Sequence, residues 1–324
     1  MVSLGKSNPQ ISVVVPVYCE ESNIQPFLKR MEPILEGIGT YEILFCMDPS
    51  PDNTEQVIEK EIERNHNISL LVFSRRFGQP AATMAGIMNA NGESCVIIDV
   101  DLQDPPELIA GMHNKLKEGF DVVYARRISR KGETLLKRFV SFVGYKIINR
   151  ICEMEIPRNT GDFRIISRRT IEELRKLKES HGFLRGLVSL VGFKQTHIDY
   201  ERDERAHGDT KYNRYLGSLK IGFNGLVGFS NFLLSISTLV GIGMALLSFL
   251  IILYMIITKL ALDMPYPIGT PTIITLVLFM GSVQLISIGI LGEYIGRIYD
   301  EVKQRPQYII DKVVSHKHWN KKTG

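Results

Sequence analysis

Short hydrophobic runs alternate with amphipathic stretches along the first part of the chain. Between the runs, apolar residues recur at three- and four-residue spacing, as in Ile24, Phe27, Leu28 and Met31, which is typical of a helix with one buried face. Continuously apolar strands separated by such helices predict a mainly parallel sheet covered on both faces. The predicted strands are ISVVVPVY from Ile11, YEILFCM from Tyr41, ISLLVFS from Ile68, SCVIIDV from Ser94 and DVVYA from Asp121.

Three predicted helix starts carry a polar residue followed by an acid or amide three positions later. This spacing is typical of a capping box, in which the two side chains satisfy free backbone N–H groups. For Asp104 and Glu107, this pattern favours a structural role over a catalytic one. The pairs are Ser22 with Gln25, Asp52 with Glu55, and Asp104 with Glu107.

Two long uncharged stretches occupy the C-terminal part of the chain. No charged residue occurs from Ile221 to Thr258 or from Met264 to Gly292. Each stretch exceeds the ~20 residues that cross a bilayer, so we predict two transmembrane helices, Phe232 to Ile257 and Pro271 to Ile295. Lysine and arginine are concentrated outside this pair, which predicts that the soluble N-terminal part and both termini are cytoplasmic.

A basic amphipathic segment interrupts the predicted catalytic domain. Residues 126–150 hold eight lysines or arginines and one acid, with apolar residues at helical spacing. This pattern predicts binding at a membrane surface. Nucleic acid is the rival partner for a basic patch, but the aromatic residues fall on the apolar face and no recognition motif accompanies them.

The predicted organisation of the 324 residues, with net charge +4, follows from these segments. A cytoplasmic catalytic domain covers 1–210, including the membrane-surface segment 126–150. A juxtamembrane amphipathic segment covers 211–230, a two-helix transmembrane hairpin 231–296, and a basic cytoplasmic tail 297–324.

Two carboxylates mark the predicted site. Asp99 and Asp101 directly follow the fourth strand, at the edge where open α/β sheets bind ligands. Their oxygens suit Mg²⁺ or Mn²⁺ bridging the diphosphate of a nucleotide. Neither a P-loop nor a GxGxxG pattern occurs, so no P-loop or dinucleotide fold is supported.

Four further segments extend this pattern into a resemblance. They are VVVPVYCEESNI in the first strand, SRRFGQPAATMAG from Ser74, TGDFRIISRR from Thr160 and ERDERAHGDTKY from Glu201. Together with DVDLQDPPEL from Asp99 and the two C-terminal spans, they make nearly the whole chain resemble glycosyltransferase family two, with a GT-A nucleotide-sugar domain. Within that family the chain is similar to the polyprenyl-phosphate glycosyltransferases.

The resemblance implies inverting transfer of one hexose, with glucose expected, from a UDP-sugar to polyprenyl (undecaprenyl) phosphate at the cytoplasmic face of the membrane. It also implies a homo-oligomer, with a tetramer expected. A GDP-mannose donor and a catalytically silent membrane scaffold stay open as alternatives. A processive polymer synthase is not favoured, because its Gln-x-x-Arg-Trp element is absent.

The resemblance also assigns roles to residues. Asp162 takes the catalytic acid position, where it orients the acceptor or removes a residual proton, and Asp101 with Asp99 binds the metal. The donor residues are Pro16, Tyr18, Glu20, Asp48, Arg76, Gly78, Gln79 and Gln103. The acceptor phosphate residues are Arg164, Arg202, Arg205 and Lys211. One departure is MDPS, in which Met47 and Pro49 replace an acid and a glycine of the family pattern.

Overall fold

The computed structural model describes residues 8–128, 160–177, 184–201 and 269–316, with scattered positions between 237 and 257. Eight strands form one sheet in the order β7-β5-β6-β4-β1-β2-β3-β8. The strands are β1 (Ile11–Val17), β2 (Tyr41–Met47), β3 (Ile68–Phe73), β4 (Ser94–Ile97), β5 (Val122–Arg127), β6 (Thr160–Ser167), β7 (Gln195–Tyr200) and β8 (Ile310–Ser315).

In the described part of the chain, the first and last residues of seven helices are defined. They are α1 (Ile24–Ile38), α2 (Thr54–Arg64), α3 (Gln79–Asn89), α4 (Leu108–Lys117), α5 (Arg168–Lys176), α6 (Leu184–Val191) and α7 (Thr270–Lys303). The first six cover the sheet. Side chains from α1, α2 and α4 pack in one hydrophobic cluster, and those from α3, α5 and α6 pack in another. Helices therefore cover both faces of the sheet, as the continuous apolar runs predict.

The centre of the sheet is parallel. Strand β1 pairs in parallel with β2 and β4, and β2 pairs in parallel with β3. Strand β6 lies antiparallel between β4 and β5, while β5 and β7 are parallel. Pro16 is tolerated inside β1 because the pairing with β4 covers only the first four residues of β1, so the missing N–H leaves no ladder bond unmade there.

The capping boxes predicted at α1 and α4 are wrong, and the one predicted at α2 names the wrong N-cap residue. No described side chain caps α1, which begins at Ile24 after Asn23, or α4, which begins at Leu108. Glu107 instead makes a bidentate ion pair with Arg30 on α1. At α2 the N-cap residue is Asn53, while the Asp52 carboxylate accepts from the Thr54 N–H at 3.3 Å.

The segment 297–324 is not a simple basic tail. Helix α7 continues to Lys303, and residues 310–315 then form β8, which pairs antiparallel with β3 at the edge of the sheet. Lys312 donates to Glu55 at 2.9 Å and to Glu59 at 2.5 Å, which ties β8 to α2. The end of the chain thus completes the catalytic sheet.

The membrane-spanning prediction is supported in part. Within the described residues, one helical stretch, Phe279–Lys303 of α7, is long and apolar enough to cross a bilayer. The first predicted span falls where only scattered helical positions are described. The predicted membrane-surface segment does not begin at Arg126, because Arg126 and Arg127 belong to β5; residues 129–150 and 211–230 lie outside the described residues.

Helix α3 approaches β1 so closely that only glycine fits at position 86. A Cβ atom there would lie 2.2 Å from Cγ1 of Val14 and 3.0 Å from Sγ of Cys46. We expect Gly86→Ala to lower the free energy of unfolding by about 1–3 kcal/mol, the usual cost of overpacking a core. Chemical denaturation followed by circular dichroism measures this change.

Gly37→Ala is the matched control, because no atom lies within 4 Å of its added Cβ and Gly37 also lies in a helix. Alanine should be neutral or stabilising there, since it is the better helix former. Equal effects of the two substitutions would contradict the close approach of α3 to β1.

Candidate active site

Asp48 organises the loop between β3 and α3. It follows β2 and is 3% exposed. Its Oδ1 accepts from the Phe77 N–H and its Oδ2 from the Gly78 N–H, both at 2.9 Å. Gly78 has a φ of +91°, a conformation that favours glycine. The predicted donor residues Asp48 and Gly78 therefore meet, and the carboxylate fixes the loop backbone.

The predicted donor residues Tyr18 and Arg76 also meet at this edge. The Arg76 guanidinium carbon lies 4.1 Å from the centroid of the Tyr18 ring, a cation–π contact. Glu20, two residues after Tyr18, accepts from Asn23, and its own N–H donates to Thr54 at 2.9 Å. These groups frame a polar surface at the carboxyl ends of β1 and β3, whereas Pro16 is buried within β1.

The MDPS departure does not disturb this surface. Met47 is fully buried in the hydrophobic cluster that contains the side chains of α1 and α2. Ser50 accepts from the Cys19 N–H at 3.1 Å and donates to the Asp48 carbonyl at 3.1 Å. The methionine therefore packs in the core, while Asp48 and Ser50 shape the loops.

The two predicted metal-binding carboxylates lie in the turn after β4. Asp101 is 5% exposed and accepts from the Gln103 N–H at 3.2 Å, while Leu102 between them has a φ of +59°. Asp99 accepts from the Gln79 side chain at 2.8 Å. Gln79, a predicted donor residue at the start of α3, is thus bonded to Asp99.

Asp162 lies on β6 among arginines. Its Oδ1 accepts from Nε of Arg185 at 3.0 Å. Burial alone would raise the pKa of Asp162, but the positive charges of Arg185 and Arg164 outweigh it and hold the pKa below its ordinary value. Asp162 is therefore ionised at neutral pH.

Arg164 is a support for β6. The side chain is 4% exposed, and its guanidinium donates to the carbonyls of Gly161 at 3.1 Å and Asp162 at 3.3 Å. Burial lowers its pKa to about 10, which leaves it charged at neutral pH. This predicted phosphate residue is therefore buried against the β6 backbone next to Asp162.

A second buried charge cluster joins β5, β7 and the turn after β4. Arg127 is 14% exposed and lies 3.5 Å from the Asp104 carboxylate, which is 2% exposed. The Tyr200 hydroxyl donates to Asp104 and accepts from Arg127 at 3.0 Å. Burial and the Asp104 charge raise the pKa of Tyr200 to about 12, so Tyr200 stays protonated.

Arg127 interacts electrostatically with the carboxylates of the turn after β4 and with Asp162 on β6. Burial opposes its charge, but Asp104 and, more weakly, Asp99 raise its pKa, and its own charge helps to lower the pKa of Asp162. A register shift between Tyr124 and Arg126 lies where β5 presents Arg126 to exposed Asp199 and Arg127 to the cluster.

The donor set fits a hard divalent cation that shares its coordination with a ligand. No group of three or more histidines, cysteines or carboxylates with metal-binding geometry occurs in the described part of the chain. Asp99 and Asp101 supply carboxylate oxygens after a buried strand, and Mg²⁺ and Mn²⁺ commonly take one or two such ligands plus phosphate oxygens. The residues present therefore fit a metal bound together with a diphosphate.

Three features of the site were not predicted from the sequence: Arg127, Arg185 and the role of Tyr200. Arg127 had one available signal, since it stands at the carboxyl end of a predicted strand, where ligands bind. Arg185, a single charge in an otherwise apolar helix, gave none. Arg202, Arg205 and Lys211 lie outside the described residues.

Relatives of this chain share most of its length. It is 42% identical over 304 residues to the uncharacterized glycosyltransferase YkcC of Bacillus subtilis, which covers 94% of each chain. It is 41% identical over 305 residues to the SfII prophage-derived bactoprenol glucosyl transferase of Shigella flexneri, which covers 94% of this chain and 98% of that one.

A solved structure with a similar chain path is glucosyl-3-phosphoglycerate synthase from Mycobacterium tuberculosis, in complex with Mn²⁺, UDP and glucosyl-3-phosphoglycerate. The TM-score is 0.47 at 20% identity, over 68% of this chain and 78% of that chain.

Two family models match the chain in tandem. Residues 12–175, from β1 to α5, match glycosyl transferase family 2, and residues 234–298 match the GtrB C-terminal hairpin. The first match includes Asp48, Asp99, Asp101 and Asp162. With relatives of similar length at about 40% identity, these matches show that the chain belongs to glycosyltransferase family 2.

Proposed function

We propose that this enzyme transfers one glucosyl residue from UDP-glucose to polyprenyl phosphate at the cytoplasmic face of the membrane. The observation that carries the proposal is the joint match to a catalytic domain and a C-terminal hairpin, at 41% identity to a bactoprenol glucosyl transferase over nearly the whole of both chains. The similarity extends over the catalytic and membrane parts together, so it bears on the acceptor as well as the donor.

The donor is assigned to the edge formed by Tyr18, Arg76 and the loop that Asp48 holds. We assign the metal, Mg²⁺ or Mn²⁺, to Asp101 and Asp99, with Gln79 orienting Asp99 through its 2.8 Å hydrogen bond. When bound, such a cation offsets the negative charge that develops on the departing diphosphate.

A phosphate oxygen of the acceptor acts as the nucleophile and does not need a protein base to deprotonate it. A phosphate monoester has a second pKa of ~6, so most of a polyprenyl phosphate is dianionic at pH 7 and needs no strong base. The acceptor oxygen forms a bond to the anomeric carbon as the bond from that carbon to the UDP oxygen breaks, and UDP leaves with the bonding electron pair. Attack from the face opposite UDP inverts the configuration, so an α-linked donor gives a β-linked lipid.

Asp162 acts by orientation. Its pKa is lowered by its arginine partners, which makes it a weak base. Paired with Arg185 at 3.0 Å, it fixes a guanidinium beside the site, and a guanidinium is suited to grip a phosphate. Arg185 thus joins Arg202, Arg205 and Lys211 as a proposed acceptor phosphate residue, while the buried Arg164 guanidinium bonds to the β6 backbone at Gly161 and Asp162.

The pH profile tests this role. We expect Asp162→Asn to lower kcat up to about 10²-fold, the scale of a misplaced reacting group, with little change in the KM of the donor. The acidic limb of the profile should stay at ~6 in both proteins, because the limb reflects protonation of the lipid phosphate. Initial rates from pH 5 to pH 8 measure this, and a limb that disappears in the variant would identify Asp162 as the titrating base.

A two-span hairpin is the proposed membrane topology. Strand β8 belongs to the same sheet as β1, so the chain re-enters the catalytic domain after α7. If α7 crosses the bilayer once, the chain must also cross once between β7 and α7, and the uncharged residues from Ile221 to Thr258 are long enough to do so. The even number of crossings supports a C-terminus on the same side as the catalytic domain.

Transfer of radiolabel tests the reaction. The purified full-length chain is incubated with undecaprenyl phosphate and a panel of UDP- and GDP-sugars, with Mg²⁺, with Mn²⁺ or with chelator. We expect labelled lipid from UDP-glucose only, and none with chelator. Labelling from GDP-mannose would replace the donor assignment, and release of UDP without labelled lipid would overturn the acceptor. Absence of both turnover and nucleotide binding would favour a silent scaffold.

A further inference from the structure

The segment that follows the membrane helix contacts the unit that carries the donor loop. Helix α7 ends at Lys303, the next residue Gln304 has a φ of +46°, and the chain then runs back to β8. On the way, the Tyr308 ring lies 5.9 Å from the ring of Phe73, the last residue of β3. The Tyr308 hydroxyl shares a hydrogen bond with the side chain of Asn89, the last residue of α3. Tyr308 therefore contacts the last residue of β3 and the last residue of α3, the two elements that the loop 74–78 connects.

The same segment bonds to the donor loop directly. The Ser74 N–H donates to the Ile309 carbonyl at 3.0 Å, at the first residue of the loop 74–78. A register shift between Val72 and Phe73 in the β3–β8 pairing lies just before this contact. The loop 74–78 therefore begins at a residue that is hydrogen-bonded to the segment between α7 and β8.

A continuous set of contacts leads from there to Asp48. The Phe73 ring packs edge-on against the Phe77 ring at 6.2 Å, and the Arg75 guanidinium lies 4.2 Å from the centroid of Phe77. Phe77 then donates its N–H to Asp48 at 2.9 Å. The ring of Tyr308 is consequently two packed rings away from the backbone amides that Asp48 orders.

We propose that Tyr308 is a positioning residue for donor binding, which holds the loop 74–78 in the conformation that receives the nucleotide. The inference rests on the proposed function, since it takes this loop as part of the donor site. Tyr308 touches no reacting atom; it acts through Phe73, Phe77 and the contact with Asn89. The membrane anchor thereby contributes to nucleotide affinity, because the chain leaving α7 supplies part of the support for the loop.

Lys312, on β8, offers a matched control in the strand that follows Tyr308. It holds β8 to α2 through Glu55 and Glu59, whereas Tyr308 packs against the hydrophobic cluster that contains the side chains of α3, α5 and α6. Its side chain is 42% exposed, and ion pairs of this kind contribute little to stability. Lys312→Ala therefore perturbs β8 without touching the contacts of Tyr308.

The test compares full-length Tyr308→Ala, Tyr308→Phe and Lys312→Ala with the wild-type chain. The dissociation constant of UDP is measured by titration calorimetry, and KM for donor and acceptor and kcat by the transfer assay. We expect Tyr308→Ala to raise the UDP dissociation constant and the donor KM about tenfold, which corresponds to ~1.4 kcal/mol, with kcat and acceptor KM within twofold. Tyr308→Phe keeps the ring contacts and should recover most of the affinity, and Lys312→Ala should match the wild type.

Hydrogen exchange gives a readout that does not depend on turnover. The amides of Phe77 and Gly78, both bonded to Asp48, should exchange faster in Tyr308→Ala than in the wild type, while amides of β1 stay protected.

The outcomes separate this inference from the proposed function. If the wild type binds UDP and Tyr308→Ala binds it equally well, the inference is overturned alone. Parallel losses of kcat, both KM values and folded yield would also overturn it, because they indicate a general structural role. If the wild type binds neither UDP nor GDP, the proposed function fails, and the inference fails with it.

Discussion

Replacement of Asp101 by alanine is expected to abolish sugar transfer and to leave the fold nearly as stable as before. The carboxylate is 5% exposed, and among its contacts it accepts a hydrogen bond from the Gln103 N–H, a bond that typically contributes about 1 kcal/mol. Against that loss, the variant no longer buries a negative charge close in sequence to Asp99 and Asp104. We therefore expect Asp101 to be needed for transfer but not for stability, a combination that is common at residues that bind a ligand.

Ligand-dependent stability gives a measurement independent of rate. A metal and UDP at 100 times their dissociation constant stabilise the folded wild type by about 2.7 kcal/mol, and this gain should vanish in Asp101→Ala. Denaturation with and without Mn²⁺ and UDP measures it. Asp311→Ala, an exposed carboxylate on β8, is the control that should retain both the rate and the gain. A rate loss below about tenfold in Asp101→Ala, or ~1.4 kcal/mol of barrier, would remove Asp101 from the metal site.

The sheet was predictable because its strands carry their own signal. Continuous apolar runs identify β1, β2 and β3 nearly to the residue, since both faces of these strands are covered by helices. The fourth run was read through Val100, but β4 pairs only to Ile97, because the chain there turns into the segment that bears Asp99 and Asp101. The apolar run therefore continues past the end of β4, into the turn that carries the two predicted metal-binding carboxylates.

The failed capping boxes show where local patterns lose to tertiary contacts. Asp104 has the spacing of a cap with Glu107, but the Tyr200 hydroxyl and the Arg127 guanidinium take its carboxylate. Tyr200 lies on β7, far along the chain, so a pattern that spans four residues cannot reveal this partner. Arg185 escaped prediction for the same reason, because its relation to Asp162 exists only after α6 packs beside β6.

Strand β8 was hidden by its charge. A lysine in its centre and a basic surrounding sequence favoured a solvated tail. Edge strands, however, commonly carry charged side chains, and Lys312 finds Glu55 and Glu59 on α2. The pairing partner, β3, precedes it by more than two hundred residues and two predicted membrane spans, a separation that hydrophobic periodicity does not bridge.

The other large effect is expected at Arg127, where Arg127→Met should lower the free energy of unfolding by about 3–5 kcal/mol. The substitution leaves the Asp104 carboxylate, 2% exposed, without its cationic partner, and an uncompensated buried charge carries a cost of this size. The neighbouring Arg126→Ala is the matched control. Its ion pair with Asp199 is 42% and 40% exposed, so its loss should change stability by only about 0–1 kcal/mol.

A double variant separates the fold from the chemistry. Arg127→Met combined with Asp104→Asn removes both charges and keeps an oxygen that accepts from Tyr200, so most of the lost stability should return. Activity should not return with it, because the double variant still lacks the positive charge that acts on Asp99 and Asp162. Denaturation curves and transfer rates on the four proteins of the cycle measure both. If Arg127→Met is no more destabilising than Arg126→Ala, the buried pair does not hold β5 to the turn after β4; if the double variant recovers full activity, Arg127 serves the fold alone.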